Sequence, residues 1–263
     1  MHFLADEIDF AAYERETDAA ANVKPASVWM DELIFKLQNP DRSKKVLLPW
    51  EQAHGLFAFR PGEVTLWAGQ NGHGKTQIVS QVVLSLMGQE EKVVVGSFEM
   101  KPGTTLAMMC RMYAQTNPFS PEYQGEQGVQ ILTDLYREFG EWTDNRLWVY
   151  DRQGTVEARQ VLGMARYCAK ELGVTHIVID SLMKCVMGED DYNGQKAFVD
   201  ELTALARDNM VHVHLIHHLR KPSKETDIPD KHDTKGSGAI TDLVDNLMLV
   251  WRNKGKEDDV KAK

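Results

Sequence analysis

Six short apolar runs alternate with amphipathic helical stretches along this chain. Most of the runs lack polar alternation, which is typical of parallel strands that are covered on both faces. They are Val64–Ala68, Val93–Phe98, Leu147–Tyr150, Ile177–Ile179, Val211–Ile216 and Leu247–Trp251. One helical face between them contains Val79, Val82 and Val83, at i, i+3 and i+4. The pattern predicts an α/β fold, with a mostly parallel, twisted sheet and helices on both faces.

The two ends of the chain depart from this pattern. Charged and small residues dominate the first 45 residues, apart from one predicted helix at Ser27–Gln38. The apolar face of that helix is either solvated or docked on a neighbouring subunit. Residues 253–263 are almost entirely polar and predict a mobile tail. We therefore expect an N-terminal arm or linker at 1–45, one α/β domain at 46–252 and a C-terminal tail at 253–263.

Composition narrows the class of protein. The 263 residues are 43% hydrophobic, yet no apolar run approaches the ~20 residues that span a bilayer. The acidic N-terminus has no targeting signature, and the cysteines at 110, 168 and 185 lack metal-binding spacing. We expect a cytoplasmic protein with reduced thiols and no membrane partner. The net charge of −9 argues against non-specific coating of DNA but leaves room for a local basic loop.

A glycine-rich segment links the first predicted strand to the helix that follows. It reads Gly69-Gln70-Asn71-Gly72-His73-Gly74-Lys75-Thr76, an unbroken GxxxxGKT. The glycines let successive backbone N–H groups point at one anion, and the helix adds the positive end of its dipole. Lys75 would reach the β- and γ-phosphates, and the Thr76 hydroxyl would ligate Mg²⁺. The segment predicts binding of a nucleoside triphosphate.

Two carboxylates follow predicted strands further along the chain. Asp180 ends the apolar run at 177–179, about 100 residues after the phosphate loop, and would hold the Mg²⁺ shell directly or through water. Glu99 lies just past the run at 93–98, where a carboxylate could polarise an attacking water as a general base. From spacing alone, an ordinary exposed glutamate explains Glu99 equally well.

Four histidines occupy the run at 211–218. His212 and His214 share one strand face, and no Cys or carboxylate lies at ligand spacing, so a metal site is the less favoured interpretation. His217 or His218 could hydrogen-bond toward a γ-phosphate, or could simply cap the sheet. A neutral imidazole directed at the phosphate is the favoured hypothesis.

A long polar loop follows these histidines. Its basic residues are Arg220, Lys221, Lys224, Lys231 and Lys235, and it ends in Gly236-Ser237-Gly238. Nearby acidic residues nearly balance these charges, so the loop is either simply solvated or functional. In the second case the glycines would let backbone N–H groups approach a phosphodiester, and Lys235 would add charge.

Taken in order, these segments resemble the hexameric replicative helicases: the DnaB type, the helicase half of phage primase-helicases, and Twinkle. Glu99 in "SFEM" is similar to the catalytic glutamate of that family, and "HHLRKP" maps its phosphate sensor onto His218. "KGSGAI", from Lys235, is similar to its DNA-contact motif. "WRN" resembles the strand end where an arginine approaches the base, which makes Arg252 a candidate base contact.

The resemblance covers roughly residues 46–253 and implies a RecA-like fold. It also implies a homo-oligomeric ring, typically a hexamer, that uses ATP or another NTP or dNTP with Mg²⁺ and moves on single-stranded DNA. Primase or other replication proteins are the partners that it implies. A bacterial, phage-encoded or plasmid-encoded protein is expected.

The sequence departs from the family pattern in two ways, and other functions therefore remain as alternatives. The family places an arginine finger after the "RN" segment, where this sequence has only the polar residues 254–263. The chain is then a truncated form, another basic residue substitutes, or a partner supplies the finger. No primase region precedes the motor, so priming is not expected. The alternatives are a RecA-type recombination or repair ATPase, and a nucleotide-binding accessory or loader with little hydrolysis.

Overall fold

The computed structural model describes residues 2–3, 26–38, 45–188, 190–219, 228–234 and 239–253. Its strands are β1 (His2–Phe3), β2 (Val64–Gly69), β3 (Val93–Ser97), β4 (Leu147–Tyr150), β5 (His176–Asp180), β6 (His212–His218) and β7 (Asn246–Val250). Its helices are α1 (Ser27–Gln38), α2 (Lys75–Gly88), α3 (Pro102–Ala114), α4 (Gly125–Thr143), α5 (Ala158–Glu171), α6 (Tyr192–Asn209) and α7 (Ala239–Leu243). None of the described helices is long and apolar enough to cross a bilayer.

All seven strands form one sheet in the order β1-β4-β3-β5-β6-β2-β7, and every pair in it is parallel. The predicted parallel α/β fold is therefore confirmed, and each predicted strand exists with ends that shift by no more than two residues. The sequence pattern misses β1, which pairs with Trp148 and Val149 of β4. Two residues are too few to show a period, so this strand carries no recognisable signal.

Each face of the sheet carries its own hydrophobic core. Successive residues of a strand point to opposite faces, so Leu66 and Trp67 on β2 belong to different clusters. Leu66 packs in the cluster that includes residues of α5 and α6, whereas Trp67 packs in the cluster that includes residues of α2 and α3. Both side chains are almost completely buried. Burial on both faces is why the strand sequences are continuously apolar.

Helix α1 spans the predicted residues, Ser27–Gln38. Met30, Leu33, Ile34 and Leu37 follow helical spacing on it, and all four side chains are exposed in the single chain. An exposed apolar stripe of this kind is compatible with docking on another subunit, which stays a prediction.

Three histidines form a buried cluster at the amino ends of β5 and β6. His214 Nδ1 accepts a hydrogen bond from Trp67 Nε1 at 3.2 Å, so its Nε2 carries the proton and donates to His176 Nδ1 at 3.1 Å. His212 Nδ1 donates to the Arg60 carbonyl at 2.7 Å and leaves Nε2 to accept from a threonine hydroxyl. Both ring nitrogens of His212 and of His214 are thus engaged with protein groups, and neither ring has a nitrogen left for a metal.

This histidine cluster makes stability depend on pH. Burial lowers the pKa of His212 and lowers that of His214 well below its ordinary value. The unfolded chain takes up protons near pH 6.5 while the folded chain does not, so stability is lost as the pH falls through that value. We expect the melting temperature to fall between pH 7.5 and 5.5 by more than ~2–4 °C, the shift that 1 kcal/mol causes in a domain of this size.

Scanning calorimetry across this pH range checks the expectation. The variant His214→Met removes one titrating ring and should show a smaller fall than the wild type. The variant His232→Gln, at an exposed position, should keep the full fall. An equal pH dependence in all three proteins would contradict the assignment of the effect to the cluster.

Candidate functional site

The carboxyl ends of five strands gather the predicted site residues at one edge of the sheet. The glycine loop begins at Gly69, the last residue of β2, and Glu99 follows β3. Asp180 is the last residue of β5, His218 ends β6, and Arg252 follows β7. Parallel strands direct all their carboxyl ends to the same edge, and ligands of open α/β sheets bind there.

The glycine loop curls tightly against β7 and opens α2. Gly74, directly before the helix, has φ +85°, a left-handed conformation that glycine adopts without steric cost. Gly69 has no room for a side chain, because an added Cβ would lie 2.6 Å from the carbonyl oxygen of Val250. The loop therefore presents its backbone at the amino end of α2, where N–H groups and the helix dipole favour an anion.

The close approach at Gly69 leads to a testable prediction. We expect Gly69→Ala to destabilise the fold by roughly 1–3 kcal/mol, because the clashing atom belongs to the backbone of a paired strand and cannot rotate away. Gly88→Ala is the matched control, since an added Cβ at this last residue of α2 meets no atom within 4 Å. Urea denaturation should find the control within ~1 kcal/mol of the wild type or slightly more stable. A Gly69→Ala protein as stable as the control would refute the clash.

Lys75 folds back over the loop that carries it. Its Nζ donates to the carbonyl oxygens of Gly69 at 2.8 Å and of Gln70 at 3.0 Å, and the side chain is buried. Burial lowers the pKa of Lys75, while the nearby carboxylates of Asp180 and Glu99 act in the opposite direction. A buried ammonium held by two carbonyl oxygens can exchange these acceptors for the oxygens of a phosphate.

Thr76 and Asp180 meet although they lie 104 residues apart in sequence. The Thr76 hydroxyl donates to Asp180 Oδ2 at 2.8 Å. Burial raises the pKa of the Asp180 carboxyl, and a cation beside it would favour its ionised form. Two hard oxygen donors in contact, next to an anion-binding loop, fit the ligand preference of Mg²⁺.

Glu99 is held by two neighbours at the mouth of the site. Ser181 Oγ donates to its Oε1 at 2.9 Å, and His218 Nε2 lies 3.6 Å from the same oxygen. His218, followed by the Ser181 hydroxyl, outweighs partial burial and lowers the pKa of Glu99 to about 2. Glu99 is therefore ionised at neutral pH, and 37% of its side chain stays exposed to solvent. An oriented, ionised carboxylate that water can reach can accept a proton as a general base, and its low pKa makes it a weak base while His218 lies beside it.

His218 connects this site to the segment that follows β6. The next residue, Leu219, donates its backbone N–H to the Gly69 carbonyl at 3.2 Å. Leu219 also forms an isolated antiparallel bridge with Thr234, which is buried. Leu219 and Thr234, which flank the segment 220–233, therefore lie together beside the glycine loop and His218.

His73, in the second half of the glycine loop, contacts Arg252, which follows β7. The backbone N–H of Arg252 donates to His73 Nδ1 at 3.2 Å, and the His73 side chain is buried. The Arg252 side chain is exposed at this point. The contact ties the residues after β7 to the phosphate loop.

A cavity of about 600 Å³ lies among these residues. Its lining comprises Asn71, Gly72, Gly74, Lys75, Thr76, Gln77, Phe98, Glu99, Met100, Met108, Asp180, Lys184 and His218. This volume lies within the range of small-molecule and cofactor sites. The cavity brings together four predicted catalytic residues: Lys75, Glu99, Asp180 and His218.

The predicted DNA-contact residues lie outside the described part of the chain: Arg220, Lys221, Lys224, Lys235, Gly236, Ser237 and Gly238. Sequence reasoning also missed Ser181 and five residues of the cavity lining: Gln77, Phe98, Met100, Met108 and Lys184. Ser181 holds Glu99, and Lys184 lines the cavity. Ser181 and Lys184 lie one and four positions after Asp180, and no local pattern marks either as a site residue.

Comparisons with known proteins agree with this geometry. The sequence model of the AAA_25 family, an AAA domain, matches residues 37–224. The ATPase domain of G40P superposes with a TM-score of 0.75 at 15% identity, covering 91% of this chain and 88% of that chain. A DnaB-like replicative helicase, described with its interactions with primase, superposes with a TM-score of 0.70 at 13% identity. That match covers 90% of this chain but 58% of the helicase. These likenesses confirm the predicted RecA-like fold of DnaB-type ATPase domains.

Proposed function

The chain belongs to the AAA domain family, and we propose that it is the ATPase motor of a replicative DNA helicase. It hydrolyses ATP or another NTP or dNTP and couples hydrolysis to movement along single-stranded DNA as a homo-oligomeric ring. One observation carries the proposal: a phosphate loop, two carboxylates and a histidine from four strands line one cavity.

Different residues of the cavity have different roles in the proposed hydrolysis. The backbone from Gly69 to Gly74 and the ammonium of Lys75 bind the phosphates, in place of the loop carbonyls that Lys75 now contacts. Thr76 and Asp180 would hold Mg²⁺, which supplies charge neutralisation at the phosphate oxygens. Glu99, oriented by Ser181 and ionised at neutral pH, takes a proton from the attacking water.

The coupling to DNA runs through the end of β6. We assign the sensor role to His218, because it contacts Glu99 and precedes Leu219, which bonds to Gly69. Loss of the terminal phosphate would shift His218, and the Leu219–Thr234 bridge would pass the shift to the intervening segment. The basic and glycine residues of that segment and of 235–238 would contact the DNA backbone. Arg252 would contact the base.

The domain organisation and partners belong to the same proposal. The motor occupies 46–252, the arm 1–45 links or docks subunits, and 253–263 is a tail. The exposed apolar stripe of α1 supports assembly into a ring, for which we propose six subunits. Primase is a proposed partner, because the DnaB-like relative is described with its interactions with primase. The chain spans 58% of the length of that relative.

Strand displacement tests the proposed function. A forked DNA with a fluorophore and quencher at the junction is incubated with the chain, ATP and Mg²⁺. The proposal predicts separation that needs hydrolysable ATP and a single-stranded tail. Strand pairing by filaments under the same conditions would favour a RecA-type recombination ATPase instead. Nucleotide binding with neither activity would favour an accessory protein.

A further inference from the structure

A second lysine lines the nucleotide cavity. Lys184 is the last residue of a short 3₁₀ turn, Leu182–Lys184, which follows β5 after the single residue Ser181. It lines the same cavity as Lys75 and Glu99, and its side chain is half-buried. The predicted motifs assign no role to this residue.

The turn holds Lys184 in a fixed position. Its backbone N–H donates to the Ser181 carbonyl at 3.0 Å, and its carbonyl accepts from the Val156 N–H at 2.8 Å. The flanking residues Leu182 and Cys185 are buried in the hydrophobic core. A side chain on such a rigid base reaches the cavity without a large entropic cost for ordering the backbone.

The position of Lys184 indicates which end of a bound nucleotide it would contact. It acts electrostatically on Glu99, and β5 and β3 are neighbours in the sheet. Lys75 is the first residue of α2, after β2, and β6 lies between β2 and β5 in the sheet. Under the proposed function, the terminal phosphate points toward Glu99, so Lys184 lies at the terminal-phosphate end of the cavity.

The negative charges in the cavity indicate a role for Lys184. Asp180 and Glu99 already place two carboxylates in the cavity, and a triphosphate adds further negative charge. We propose that Lys184 is a second phosphate-contacting cation, which binds the terminal phosphate beside Glu99 and stabilises the charge that develops there during hydrolysis. This inference rests on the proposed nucleotide-hydrolysing function of the same site.

Substitutions of similar size that remove or keep the charge test the inference. Lys184→Gln should weaken binding of a non-hydrolysable β,γ-imido analogue of ATP roughly tenfold, whereas ADP affinity changes less than about twofold. The kcat of ATP hydrolysis without DNA should fall roughly 10–100-fold. Lys184→Arg keeps the charge and should stay within about tenfold of the wild type. Lys170→Gln, at an exposed position on α5, is the matched control.

Calorimetric titration of both nucleotides decides between the outcomes. An unchanged ratio of analogue to ADP affinity in Lys184→Gln would overturn the inference, whether both affinities fall together or neither falls. Thermal melts check folding, and Lys184→Met replaces the Gln variant if that variant does not fold. A wild type without hydrolysis would defeat the proposed function alone, because the affinity ratio still tests Lys184.

Discussion

Replacing Glu99 with Gln is expected to stop nucleotide turnover while nucleotide binding persists. The substitution keeps the shape of the side chain and an oxygen that can accept from Ser181, but it removes the ionised group that can take a proton from water. Loss of a general base costs typically 10²–10⁴-fold in rate, so we expect kcat to fall by about that factor. Steady-state hydrolysis and nucleotide titration of the same preparation measure both effects.

A control separates the role of Glu99 from a general effect of charge. Glu126→Gln removes one carboxylate from an exposed position in α4 and should hydrolyse nucleotide like the wild type. Turnover in Glu99→Gln that matches this control would remove Glu99 from the mechanism. A fall in nucleotide affinity as large as the fall in kcat would also contradict the account, because it would place Glu99 in binding instead of catalysis.

Replacing Lys75 with Ala is expected to abolish stabilisation by nucleotide. Ligand at 100 times its Kd stabilises a protein by about 2.7 kcal/mol, and this gain should disappear when the phosphates lose their buried ammonium. The protein without nucleotide should be little changed in stability, because burial disfavours the charged form of Lys75 and lowers its pKa. Melting temperatures with and without Mg²⁺–ATP measure both effects.

A substitution at the exposed Lys170 is the matched control for Lys75→Ala. Lys170→Ala should keep the full nucleotide-dependent rise in melting temperature. If Lys75→Ala kept that rise as well, the cavity at the glycine loop would not be the nucleotide site.

The sequence was sufficient to predict the architecture and much of the cavity. Continuous apolar runs such as Val93–Phe98 predict buried parallel strands, and the structure has a buried strand at Val93–Ser97. Parallel strands also predict that residues at their carboxyl ends lie together, and Glu99, Asp180 and His218 do line one cavity. Their chemical roles stay predictions, because proximity alone does not establish turnover.

The sequence could not predict contacts that depend on which strands are neighbours. Ser181 reaches Glu99 across 82 residues because β5 lies beside β3, and no local pattern encodes that adjacency. His176 joins His214 in the same way, since the two residues are 38 positions apart on paired strands. Lys184 was missed because a lysine in a turn is ordinary until the cavity around it is known.

ATP hydrolysis with and without single-stranded DNA, with Lys75→Ala as the blank, tests the central claim most directly. The account predicts that DNA stimulates hydrolysis well above the blank, since Leu219 and Thr234, which flank the basic segment, are joined beside the phosphate loop. A rate with DNA that is no higher than the blank, in a protein that still binds nucleotide, would contradict the account of a DNA-driven motor.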